Sequence, residues 1–260
     1  MSDVQLLIRD TAWILMIDRP PANTLSSTLL DRLSDVVRQF DNHPGRQILV
    51  ITGAGERFFV GGVDPYEIES IRSPAHGYRM AKKGQDLCNA VEALSKPVIA
   101  AINGHCIGGG NELALACHIR IASENSVFQQ PELELGIMPA FGGTQRLPRL
   151  IGEGRARKMI LTCERVSAQE ALTIRLVDEV VERGEALNRA LTIADSIATK
   201  SWDAVRLVGN CVRNAFARDE RLGLRLELNS FKQICKGDDM REGLAAYRER
   251  RKPSFKKPQG

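Results

Sequence analysis

Aromatic side chains are scarce in this chain, 5% of 260 residues. Also missing is any apolar stretch approaching the ~20 residues needed to span a bilayer. The N-terminus, Met1-Ser2-Asp3-Val4, has neither the basic flank nor the apolar segment of a secretory leader. These absences predict a soluble, cytoplasmic protein. There is no C-x-x-C pair, and no two histidines stand at zinc-finger spacing. Cys88, Cys106, Cys117, Cys163, Cys211 and Cys235 are scattered, and a chain this long can build a core without a disulfide framework. Reduced thiols are therefore expected. Neither sign of charge dominates. The formal charge is +4, with basic residues gathered at Arg248, Arg250, Arg251, Lys252, Lys256 and Lys257, so net charge gives no strong pull toward nucleic acid or membranes.

What is present is an ordinary globular composition, 43% hydrophobic and 26% charged. The length suits one large domain or one domain with an appendage. Val4 to Arg9 and Trp13 to Ile17 read as strands around a turn at Asp10-Thr11. Leu29, Leu30, Leu33, Val36, Val37 and Phe40 fall on one helical face, which His43-Pro44-Gly45 closes. Ile48 to Thr52 reads as a buried strand, and Met80, Leu87, Val91 and Leu94 as a second helix. Pro97 to Ile102, Ile119 to Ala122 and Val127-Phe128 read as further strands, and 131–148 as a loop-rich run. Alternating strands and helices predict an α/β fold. Beyond Gly154 helical spacing dominates, so residues 1–195 are expected to form the α/β core and 196–260 a helical region with a basic tail.

The densest cluster of signals is Ile102 to Ala114. An apolar strand leads to Gly108-Gly109-Gly110, and a helix follows with Glu112 on its first turn. Glycines let backbone approach a ligand where a β-carbon would collide. The free N–H groups of a first turn attract negative charge. The run is neither G-x-G-x-x-G nor a P-loop, which removes nicotinamide binding and nucleotide hydrolysis. Two weaker signals accompany it. One is the glycine loop Phe58-Phe59-Val60-Gly61-Gly62-Val63-Asp64. The other is Gln129-Gln130-Pro131-Glu132, a carboxylate behind a rigid proline. Taken alone, the first reads better as an ordinary glycine turn and the second as a surface glutamate.

Their order and spacing resemble the crotonase (enoyl-CoA hydratase/isomerase) superfamily over nearly the whole chain. The resemblance is carried by Lys96 to Gly104, Gly110-Asn111-Glu112-Leu113-Ala114, Gln130-Pro131-Glu132, Gly142-Gly143-Thr144-Gln145-Arg146-Leu147-Pro148 and Tyr247 to Phe255. It implies a spiral of ββα units with C-terminal helices that assemble trimers or hexamers. It implies an oxyanion hole of two backbone N–H groups, placed on this chain at Gly61 and Gly109. Glu112 and Glu132 map onto the two glutamates of members that add water to a trans-2-enoyl-CoA. Ala22, Gly61, Gly62, Val63, Asp64, Gly109 and Arg250 map onto the path of the CoA substrate. No metal or redox cofactor is implied, CoA being part of the substrate.

The chain departs from the family pattern at Gly61-Gly62-Val63, at Pro65 after Asp64, and at Asn111, His118 and Gln129. His105 and His118 read as structural residues. Isomerisation, or hydration of a dienoyl or cyclic thioester, is the nearest alternative, and Glu112 favours hydration. An RNA-binding homologue is the alternative of another class, and the modest charge disfavours it.

Overall fold

A computed structural model of the chain describes residues 3–45, 47–200, 205, 207–209, 212, 231–232, 235 and 238–251. It opens on a hairpin of β1 (Val4–Ile8) and β2 (Ala12–Ile17), paired antiparallel. The Ser26 hydroxyl then caps α1 (Ser27–Asn42) by accepting the Leu29 N–H at 3.2 Å. Leu29, Leu30, Leu33, Val37 and Phe40 form its buried face, as their spacing predicts.

Three units of similar construction follow. β3 (Ile48–Gly53) leads to β4 (Phe58–Val60), then to α2 (Pro65–Glu69) and α3 (Pro74–Ala93). β5 (Val98–Ile102) leads to β6 (His105–Ile107) and α4 (Gly109–Ala116). β7 (Ile119–Ser123) leads to β8 (Val127–Gln129), a 3₁₀ turn (Glu132–Leu135), α5 (Gly143–Ile151) and α6 (Glu153–Thr162). In each unit the first strand joins one sheet and the second joins another. β9 (Val166–Ser167), α7 (Ala168–Thr173) and β10 (Glu179–Val181) complete the two sheets. Their orders are β1-β2-β3-β5-β7-β10 and β4-β6-β8-β9. This is the ββα spiral that the sequence motifs imply, and the steps from one sheet to the other place the ends of β4, β6 and β8 side by side.

The inner strands β2, β3 and β5 are almost continuously apolar because both faces are covered. One face packs against α1, α3 and α4. The other meets α8 (Ala186–Ala198), whose Ala186, Ala190 and Ala194 lie against Ile48, Val50, Ile99 and Ile121. The domain boundary expected after residue 195 therefore falls inside α8, a helix bound to the core sheet. The last described helix, α9 (Asp238–Arg248), packs Met240 and Leu244 into a cluster with Ile68, Met80 and Ile137.

Two other expectations change. The loop-rich run ends at Gly142, because α5 begins at Gly143 and carries Pro148 within it, anchored by the buried Arg146 and Leu147. The helical pattern expected after Gly154 is interrupted by β9 and β10, strands of two and three residues too short to show a period of their own. Among the described residues no helix is long and apolar enough to cross a membrane.

Candidate active site

The loop after β4 is fixed by its backbone. The Gly61 N–H donates to the Ala22 carbonyl at 2.8 Å. Leu25 then pairs with Val63 as a parallel bridge, its N–H donating to the Gly62 carbonyl at 2.8 Å and its carbonyl accepting the Asp64 N–H at 2.9 Å. The Val63 N–H consequently points away from Leu25, and among the described residues it has no backbone acceptor. This corrects the assignment of Gly61 as an oxyanion donor. Its N–H is already engaged with the Ala22 carbonyl, whereas that of Val63 is not taken up by the Leu25 bridge.

Asp64 is buried and spent within the same loop. One oxygen accepts from Arg19 at 2.5 Å, and the other caps α2 by accepting the Tyr66 N–H at 2.9 Å. Pro65 follows as the first residue of α2, where its fixed φ and missing N–H suit the helix start.

The three glycines at the start of α4 have separate reasons. Gly108 has φ 52° and ψ −123°, a conformation that a β-carbon strongly disfavours. A β-carbon on Gly110 would stand 2.3 Å from the Val60 carbonyl oxygen, so this glycine permits close packing on β4. Gly109 is the first residue of the helix, and its N–H has no intrahelical partner. A β-carbon there would stand 3.2 Å from Val63 Cγ2 and 3.3 Å from the Phe141 ring, so Gly109 lies directly between the loop and residue 141.

Glu112 is 2% exposed. Its Oε1 accepts the N–H groups of Phe141 at 2.8 Å and Gly143 at 2.7 Å. Glu132 begins the 3₁₀ turn after β8 and is also buried. A β-carbon on Gly108 would stand 3.0 Å from its Oε1. Gln130, in the orientation that satisfies both ends of its amide, donates to the Gly108 carbonyl at 3.2 Å and so ties the strand before Glu132 to the helix that carries Glu112.

Both glutamates open on one cavity of about 200 Å³, together with Gly61, Gly62, Val63 and Gly109. Its remaining wall is apolar and includes Ile68, Met80, Ile137, Phe141, Phe231 and Tyr247. Phe141 fits because α3 carries Gly84 opposite it, where a β-carbon would stand 2.2 Å from the ring. A hidden pair of carboxyl groups beside unengaged N–H donors, in an apolar pocket, suits a reaction that builds negative charge on a carbonyl oxygen while protons move nearby.

A family profile for enoyl-CoA hydratase/isomerase matches residues 9–258. The chain belongs to the enoyl-CoA hydratase/isomerase family. It is 39% identical to a crotonyl-CoA hydratase of Syntrophomonas wolfei over 93% of each chain. It is likewise 39% identical to a short-chain-enoyl-CoA hydratase of Clostridium acetobutylicum over 92% of each chain. The crystal structure of an enoyl-CoA hydratase from Bacillus anthracis superposes with a TM-score of 0.80 at 36% identity, covering 98% of this chain and 99% of that one.

Of the residues the family motifs single out, Gly61, Gly62, Val63, Gly109, Glu112 and Glu132 meet at the cavity. Ala22 and Asp64 stand behind the loop and fix it. Arg250 is exposed in the turn after α9, its N–H donating to the Tyr247 carbonyl at 3.3 Å, and it is not part of the cavity wall. Phe231 and Tyr247 were not foreseen as lining residues, because helical periodicity marks a buried face without saying what it faces.

The departures from the family pattern have local explanations in most cases. His118 Nδ1 accepts the Val98 N–H at 3.1 Å and holds the start of β5. His105 sits edge-on to Phe58, and burial with Arg57 and Arg165 nearby pushes its pKa below the usual imidazole value. The Gln129 amide donates to the Cys163 carbonyl at 2.8 Å and fastens β8 to the end of α6. Asn111 is buried, and nothing in the structure explains its amide. Burial pushes the Cys88 and Cys106 thiols far up and that of Cys117 to about 12, so none of them is a nucleophile near neutral pH. Cys211 lies outside the described residues. Among the described residues no three His, Cys, Asp or Glu side chains are placed to hold a metal.

Proposed function

We propose that this enzyme adds water reversibly and syn across the double bond of a short trans-2-enoyl-CoA to give the 3-hydroxyacyl-CoA. The observation that carries the reading is the convergence of Glu112, Glu132 and the Gly109 N–H on one small apolar cavity. The thioester oxygen is placed between the N–H groups of Val63 and Gly109, which stabilise the enolate more than the neutral carbonyl. Water lies between the two carboxyl groups. Two N–H donors on Oε1 suit a carboxylate, so Glu112 orients the water and takes its proton as the oxygen bonds the β-carbon. The π electrons pass through the enolate, and the α-carbon then takes a proton from the Glu132 carboxylic acid. Proton exchange across the cavity restores the pair. No metal or redox group enters this scheme.

A short acyl chain is in keeping with the crotonyl-CoA and short-chain names of two relatives. The CoA arm is placed across the Gly61–Val63 loop and Ala22. Arg250 is the candidate cation for its phosphates, from the same or a neighbouring copy. Leu207, Val208 and Val212 are 65%, 61% and 64% exposed, an apolar face that supports a homotrimer or homohexamer. The test is the conjugated-enoyl absorbance of a chain-length series of enoyl-CoA substrates. The signal should fall fastest with crotonyl-CoA or its near homologues, and a protein inert toward every length would end the hydratase reading.

A further inference from the structure

We propose that Arg146 and Glu92 are positioning residues for Glu112, acting through the turn at residues 140–143; this rests on the hydratase reading above. Arg146 lies on α5, is 5% exposed, and has no place in the wall of the catalytic cavity. Its Nε and Nη2 donate to Glu92 Oε2 of α3 at 3.1 and 2.8 Å, and Nη2 donates to Asn89 Oδ1 at 2.7 Å. Its Nη1 donates to the Phe141 carbonyl at 3.0 Å. On the other side of the same turn, the N–H groups of Phe141 and Gly143 donate to Glu112.

The carbonyl that Arg146 holds therefore lies between the two N–H groups that hold Glu112. Peptide planes are rigid, so fixing the 141–142 plane from outside leaves only φ and ψ at residues 141 and 142 to orient the N–H on each flanking plane. Gly142 makes the bend with φ 113°. A planar guanidinium can grip a carboxylate and a carbonyl at once, which a lysine ammonium does with less directional control. Glu92 in turn keeps the buried cation paired. The chain Glu92, Arg146, Phe141, Glu112 thus links α3 and α5 to the catalytic carboxylate without either outer residue touching substrate.

The test is a double-mutant cycle with a short trans-2-enoyl-CoA. Arg146→Met keeps the aliphatic bulk and removes the fork. It should lower kcat about a hundredfold, as misplacement of a catalytic group does, and leave KM within about twofold. In a Glu112→Gln background the same change should cost less than about threefold, because the residue it positions is already disabled. An equal loss in both backgrounds, or no loss in the first, overturns the proposal. If the Met variant does not fold, Glu92→Gln carries the same measurements with an expected loss of about tenfold.

A second readout is independent of turnover. With ¹⁵N-phenylalanine labelling, the eight phenylalanines give few enough amide signals to pick out Phe141 by its change in Glu112→Ala. That signal should move the same way in Arg146→Met or Glu92→Gln, and an unmoved signal overturns the positioning role. Wild-type protein inert toward enoyl-CoA substrates would remove the hydratase reading alone, and this spectrum would then decide the proposal.

Discussion

The two buried glutamates are the same side chain in two different seats. Glu112 is gripped at Oε1 by two backbone N–H groups from the 140–143 turn. Glu132 stands on a four-residue 3₁₀ turn and faces the bare α-carbon region of Gly108. One seat is made by donors brought from another element, and the other depends on a side chain being absent. The difference shows how one fold can give identical acids separate surroundings. On the proposed reading, the donors at Glu112 suit an ionised oxygen aimed at water, and Glu132 is the acid that delivers a proton.

The largest test of this contrast is Glu132→Gln. Loss of the proton for the α-carbon should lower kcat by about a thousandfold, with KM nearly unchanged. Next, Glu112→Asp should cost about a hundredfold, since the shortened carboxylate leaves both N–H donors behind. Glu132→Asp should cost less than Glu112→Asp, and the reverse order in steady-state kcat would undo the contrast of the seats.

Gly108→Ala should lower kcat about tenfold and destabilise the fold by about 1–3 kcal/mol, measurable by urea titration. The added methyl meets both a positive φ and the Glu132 carboxyl. The smallest effect concerns the thiols. Alkylation of the native protein near neutral pH, read by mass spectrometry, should leave Cys88, Cys106 and Cys117 unmodified and activity intact. Burial raises all three thiols and closes them to reagent.

The contrast also marks what is legible in the sequence alone. The glycine turn with Glu112 and the strand-helix alternation to Gln129 were legible as local signals, whereas Glu132 became a candidate only through the order and spacing of the motifs that resemble the family; Gly109, Glu112 and Glu132 all line the cavity. Gly61 was misassigned for a non-local reason. Which N–H in the glycine loop is available depends on the Ala22 carbonyl and on Leu25, which belong to a segment before α1. The clamp on Glu112 was invisible likewise, since main-chain donors leave no trace in residue type. β9 and β10 were missed because two or three residues cannot display a period. The boundary expected after residue 195 falls within α8, because the alanine face of that helix looks the same whether it meets a sheet or another helix.

Gly84 lies on α3 outside the cavity wall, yet its missing side chain is the room in which Phe141 rests. A single added methyl there would have to displace the ring, and with it the peptide that grips Glu112. Positions 84 and 141 therefore form a volume-exchange pair. A larger residue on the helix is tolerable only with a smaller one in the turn, and anyone reshaping the acyl pocket at Phe141 has a compensating handle at Gly84.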